Sequence, residues 1–205
     1  MATHPLLRLL SPLLFLGTGV GIGFGMLAWI APTLDNRTSS ARRKHLQEIF
    51  RQEIGVSELS GKNDGKRIGS YLHYTGTPPG YAWCAAFVSW CFGKAGYREP
   101  CSAWSPTLFP KKHLIWQRNG PVVRIPQTAD VFGIYYNNLR RIGHVGFVDQ
   151  WDSNWCITVE GNTGSDGALP SEPDKATFIR AGPEGVYRKR RPISTIYMVA
   201  DWLNK

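Results

Sequence analysis

Cysteine is scarce: four residues among 205, at positions 84, 91, 101 and 156, with no Cys-x-x-Cys pair. That absence excludes the usual structural zinc spacings, and the number is too small for a disulfide framework in a chain this long. A single bridge, such as Cys91 to Cys101, stays open, so cysteine usage does not decide the redox compartment. Acidic residues are also in short supply, 15 Asp and Glu against 24 Lys and Arg, for a net charge of +9 and a pI of about 9.6. Such a balance favours anionic partners: nucleic acid, anionic lipid or an acidic polymer such as a bacterial wall. Nucleic acid finds no support, because zinc-finger spacing, an RNP-like aromatic motif and a long Lys/Arg helix are all missing. The two basic runs, Arg42-Arg43-Lys44 and Arg188-Lys-Arg-Arg191, read as solvated faces or juxtamembrane flanks. No internal repeat or low-complexity tract occurs. A hydrophobic share of 42% with 12% aromatics supports a proper core and excludes wholesale disorder.

Charge is absent altogether from Leu9 to Ala31, a stretch preceded by Arg8. As a helix it suits the roughly 30 Å hydrocarbon core of a bilayer. It exceeds the apolar centre of a cleaved signal peptide, about 7–15 residues, and its exit, Trp29-Ile-Ala31-Pro32, has no small-x-small cleavage site. The expected organisation is a flank over 1–8, a single-pass anchor in a bacterial membrane over 9–31, a linker over 32–44 and one globular domain over 45–205; secretion after signal cleavage is the alternative. Glycines 17, 21 and 25, and again 19 and 23, have the spacing that lets two membrane helices approach and self-associate. Glycine is common in membrane helices without that consequence. Arg37, Arg42, Arg43 and Lys44 follow the span, and by the positive-inside rule they would hold the rest of the chain in the cytoplasm.

Pro32 to Ser40 reads as polar linker. From Ala41 to Ile54, apolar Leu46, Ile49, Phe50 and Ile54 recur at helical spacing up to Gly55. Ser60 to Asp64 is a turn, and Lys66 to Tyr74 a second short helix. Pro78-Pro79-Gly80 cannot continue a helix, so the apolar run after it starts a third helix close to Cys84 and ends by Gly96. The first helical turn has unpaired N–H groups and the positive end of the macrodipole, which favour ionisation of a thiol there. A cysteine in an apolar helix is as often a small buried hydrophobe. Pro100 to Pro110 is an irregular loop carrying Trp104, placed either to shape a groove or to plug the core. From Pro121 the period changes to two, predicting strands at Val122–Ile125, Val131–Tyr136, Gly143–Asp149, Trp155–Gly161, Gly185–Lys189 and Ile193–Ala200. Helices first and then consecutive strands make an α+β fold with an antiparallel sheet.

Among five histidines, His4 and His45 are poorly placed, and His73 and His113 lie in ill-defined contexts. His144 stands in Gly143-His-Val-Gly-Phe-Val148, sharing a strand face with Gly146, whose missing side chain leaves room for a substrate or a neighbour. In the next strand Glu160 and Asn162 alternate onto one face, either able to orient the imidazole as a general base requires. A satisfied sheet histidine and two solvent-facing edge residues would give the same pattern.

Taken together, Trp83-Cys84-Ala85-Ala86-Phe87-Val88, Gly143-His144-Val145-Gly146-Phe147-Val148 and Val159-Glu160-Gly161-Asn162-Thr163 resemble the CHAP domain, the cysteine- and histidine-dependent amidohydrolase/peptidase family. Ala129-Asp130-Val131 is similar to the Gly-Asp-Val often found between the first two motifs, with Ala in place of Gly. The resemblance implies a papain-like fold of N-terminal helices packed on an antiparallel sheet, with peptidoglycan as substrate. It implies Cys84 as nucleophile, His144 as base, and Glu160 and Asn162 as polar partners. Because a carboxylate stabilises an imidazolium by charge as well as by a hydrogen bond, Glu160 is the expected closer partner and Asn162 the supporting one. Trp83 and Trp104 are the candidate substrate-binding residues. Some members carry an aspartate-rich calcium loop before the nucleophile, but only Asn63-Asp64 and Asp64-Gly65 stand here. No metal and no other cofactor is therefore expected.

Overall fold

The computed structural model of the chain describes residues 34–170 and 182–204. The membrane-anchor and self-association readings fall on residues 9–31, outside the described residues. Among the described residues no helix is long and apolar enough to cross a membrane.

Among the described residues three α-helices precede the sheet: α1 (Leu34–Gln52), α2 (Lys66–Tyr74) and α3 (Cys84–Lys94). Helix α1 begins at Leu34 rather than Ala41, so the described part of the stretch read as linker is helical, and Ser39 is tied to Asn204 near the other end of the chain. Its buried residues Arg43, Leu46 and Phe50 follow the i, i+3, i+7 spacing of one helix face. Helix α3 is buried from Cys84 through Phe92, which explains why its sequence is apolar all round rather than amphipathic.

Seven strands follow: β1 (Leu114–Gln117), β2 (Val131–Tyr136), β3 (Arg141–Trp151), β4 (Trp155–Thr163), β5 (Ala168–Leu169), β6 (Gly185–Pro192) and β7 (Met198–Ala200). They form one sheet in the order β1-β7-β2-β3-β4-β6-β5, with every pairing antiparallel. The expected α+β architecture of helices and a large antiparallel sheet is therefore present. The main core lies between the helices and the sheet, where Phe147 of β3 stacks on Phe50 of α1 at 4.6 Å and meets Phe87 of α3 at 6.0 Å edge-on. A smaller cluster holds Ile115, Phe132, Val148, Cys156, Ile196 and Val199.

Two strand readings need correction, and strand β1 was not expected. Val122–Ile125 is not a strand: it meets Trp116 through one isolated bridge at Val122, and Val122, Val123 and Ile125 are exposed. The region Ile193–Ala200 opens with a 3-10 turn over Ile193–Thr195 before β7, since Pro192 cannot donate to a ladder. Strand β1 follows directly on a 3-10 turn over Lys111–His113, and its four residues are too few to show a period.

An ionic network fixes α1 to the sheet. Arg43 donates to Asp130 and to Asp201, 2.8 Å each, and Arg124 reaches the same two carboxylates at 2.8 and 2.6 Å. Arg43 therefore belongs to the folded unit and not to a solvated flank. Beside it Ala129 adopts φ +70°, a left-handed conformation that glycine takes more readily, which explains the glycine in the related motif. Asp130 is fully buried, so truncating it leaves two guanidinium groups to share the single carboxylate of Asp201. Breaking one partner of a buried ion pair costs about 3–5 kcal/mol. Asp130→Ala is expected to lower unfolding stability by about 3 kcal/mol or more, read from a urea midpoint; a loss under about 1 kcal/mol would show the network to be dispensable.

Candidate active site

Cys84 is the first residue of α3, as its position after the Pro-Pro-Gly turn predicts. The preceding residue, Trp83, offers no side-chain cap; instead its backbone N–H donates to Asn162 Oδ1 at 2.8 Å. Gly161 allows this approach, because a Cβ there would meet Trp83 at 2.6 Å and Phe87 at 2.9 Å. The helix start is thus held against β4.

His144 lies in β3, the middle strand of the seven, and is buried. Its Nε2–H donates to Glu160 Oε2 at 2.8 Å, which leaves Nδ1 for the thiol. The pairing of β3 with β4 runs Phe147 to Val159 and Val148 to Thr158. Continued along the strands, that register would set Gly146 opposite Glu160 and His144 opposite Asn162. The alternation breaks first: the register with β6 shifts between Glu160 and Thr163, and Asn162 takes a left-handed φ of +56°. Asn162 consequently turns away to Trp83, Asn63 and Glu58, while Glu160 reaches the imidazole diagonally across Gly146. The space beside His144 is filled by a second side chain, since a Cβ on Gly146 would lie 3.1 Å from Glu160 Cγ and 2.8 Å from the Val159 carbonyl. The expectation that Glu160 and Asn162 share one face is corrected by this bulge.

Glu160 is fully buried and saturated with donors. Arg191 grips it through Nε to Oε1 and through Nη2 to Oε2, the latter at 2.6 Å, and Thr158 Oγ1 donates to Oε1. Burial would raise the Glu160 pKa, but Arg191 first and His144 second hold the carboxyl far below the usual range. Burial would lower the His144 pKa; its couplings to the thiol and to Glu160 reverse this and raise it to about 9. For Cys84, burial pushes the thiol up, yet His144, then Ser105 and the Val145 backbone, hold it below its ordinary value. A thiol lowered and an imidazole raised by each other make transfer of the thiol proton to the imidazole easier. The other two buried thiols, Cys91 and Cys156, are pushed up by burial and are poor nucleophiles. All four cysteines are free.

A cleft of about 340 Å³ opens onto Cys84, with Tyr81, Trp104, Ser105, Arg141 and Gly143 among its walls. Trp104, 52% exposed, is one of them. Trp83 is not: it is fully buried, stacked on Tyr71 at 5.6 Å, with its indole N–H donated to Glu58 at 2.9 Å. Its place next to the nucleophile reflects packing beneath the helix start.

Two functional side chains escaped sequence reasoning. Ser105 Oγ lies 3.5 Å from Cys84 Sγ, but a serine in an irregular loop carries no local signal. Arg191 hid within a basic run read as solvated, although on a strand Arg188 and Arg191 are placed separately. Arg188 binds buried Asp149 at 2.9 Å while Arg191 binds Glu160. Among the described residues no group of three or more His, Cys, Asp or Glu could hold a metal ion.

The arrangement suits acyl transfer: a polarised thiol, a base oriented by a buried carboxylate, and the first-turn N–H of Cys84 beside the cleft. The family model described as the CHAP domain matches residues 76–162, a span that contains Cys84, His144 and Glu160. No curated protein and no solved structure matches the chain.

Proposed function

We propose, from the premise that this chain belongs to the CHAP family through residues 76–162, that it is a membrane-anchored peptidoglycan hydrolase cutting an amide of the wall. The family is one of amidase- and peptidase-type hydrolases. The observation that carries the cysteine-dependent reading is the coupled row Cys84, His144, Glu160, Arg191 behind an open cleft. The charge-free run 9–31 supports the anchor, and the net charge of +9 supports an anionic polymer as partner.

In this reaction the thiol proton resides on His144 Nδ1, and the Cys84 thiolate attacks the amide carbonyl carbon. The developing oxyanion is met by the Cys84 backbone N–H at the positive end of α3. Protonation of the leaving amine by the imidazolium gives an acyl-thioester, and water activated by the same imidazole hydrolyses it. Glu160 stays ionised throughout and stabilises the imidazolium without taking its proton. A papain-like arrangement of helix-borne thiol and strand-borne imidazole follows from the same reading.

Mass analysis of muropeptides after digestion by the full chain tests the proposal. New amine and carboxyl termini are expected, and their absence with intact wall would leave a binding or scaffolding role. Protease accessibility of the C-terminal part in intact spheroplasts tests the wall-side placement. Protection there would favour an amidase acting on a cytoplasmic amide, the side the charges after residue 31 point to.

A further inference from the structure

The cleft next to Cys84 carries one permanently charged side chain. Arg141 opens β3, three residues before His144, and its guanidinium carbon lies 4.0 Å from the centroid of the Trp104 ring. The remaining cleft walls named above are aromatic, hydroxyl, thiol or glycine, with no carboxylate among them. The stacked guanidinium is held rigid in two ways: by the ring beneath it and by a hydrogen bond from Nη1 to the Ile142 carbonyl at 3.0 Å. A guanidinium has five N–H donors in a planar fork that matches a carboxylate, so one committed donor leaves a competent face. Elsewhere in the fold four arginines are consumed by internal carboxylates: Arg43 and Arg124 by Asp130 and Asp201, Arg188 by Asp149, Arg191 by Glu160. Arg141 instead stacks on an exposed indole and faces the cleft.

We propose that Arg141, steadied by Trp104, is a carboxylate-binding subsite that selects peptide substrates carrying a free carboxylate beside the scissile amide. This rests on the reading of the site as a wall-peptide hydrolase, and it adds the charge of the substrate group that the site prefers.

Two measurements on the full chain separate the subsite from that reading. The first compares alkylation of Cys84 by iodoacetate and by iodoacetamide, followed by mass spectrometry on the Cys84 peptide. In both reagents the thiolate sulfur displaces iodide from the same carbon, and only iodoacetate carries a carboxylate. Arg141→Gln is expected to lower the iodoacetate-to-iodoacetamide rate ratio about tenfold, and Trp104→Ala to lower it less, while Arg141→Lys retains part of it. The second compares stem peptides with the carboxylate free and amidated: the wild type should prefer the free form about tenfold in kcat/KM, and Arg141→Gln should abolish the preference. An unchanged alkylation ratio in Arg141→Gln overturns the subsite. A lowered ratio with equal cleavage of both peptides overturns its role in selection. A lowered ratio with no cleavage of any wall peptide leaves the anion site standing and removes the hydrolase reading.

Discussion

Cys84→Ser is expected to reduce wall hydrolysis by about 10³-fold or more, with the fold unchanged. The size of the loss follows from the pairing of the two groups. In the proposed reaction the thiol proton passes to His144, whose pKa is raised to about 9 by its couplings to the thiol and to Glu160. A serine hydroxyl does not ionise at neutral pH, so the variant has neither a preformed nucleophile nor the charge that raises the imidazole. Cys91→Ala and Cys156→Ala should retain most of the activity, because those thiols are buried and pushed up, away from the ionised form. Alanine rather than serine is the apt control at both positions, since a buried hydroxyl without a partner carries its own cost. The alkylation rate of Cys84 gives an independent reading: its fall as the thiol is protonated should lie at lower pH than for an ordinary thiol. Undiminished hydrolysis by Cys84→Ser would remove the central assignment.

What could be read from the residues follows a physical line. Local rules located α2, the start of α3 at Cys84 and the strands around His144 and Glu160, because turn residues and periodicity act over a few positions. Side chains whose meaning depends on a distant partner were not legible. Arg43 and Arg191 look like any residue of a basic run until Asp130 and Glu160 arrive from other elements, 87 and 31 residues away in sequence. Val122–Ile125 has the composition of a strand but is only bridged at one point, and its own Arg124 is drawn to the Asp130 and Asp201 carboxylates. Trp83 and Trp104 could not be ranked by type. Burial against Tyr71 makes the first structural, and exposure at the cleft leaves the second available to substrate. The departure at Asn162 is of another kind, a bulge that ends strand alternation two residues after Glu160.

That bulge sets the two partner residues apart and makes their variants distinguishable. Glu160→Gln is expected to lower turnover about ten- to a hundredfold, the range of a hydrogen bond to a charged group at about 1.5–3 kcal/mol. Its signature is in the pH profile. The Glu160 carboxylate helps raise the imidazole to about 9, so a neutral amide lets His144 lose its proton at lower pH, and the alkaline limb moves down. The weaker imidazolium stabilises the thiolate less, so the acid limb moves up and the bell narrows from both sides. Some stability is lost as well, because Arg191 keeps its charge and loses its bidentate partner. Asn162→Ala acts differently: it frees the Trp83 N–H and loosens the start of α3, lowering turnover while leaving both limbs where they are. Should Asn162→Ala move the limbs and Glu160→Gln leave them, the orienting role passes to the amide. A Glu160→Gln protein with a lower Tm, normal limbs and normal turnover would make the carboxylate a structural anchor for Arg191 alone.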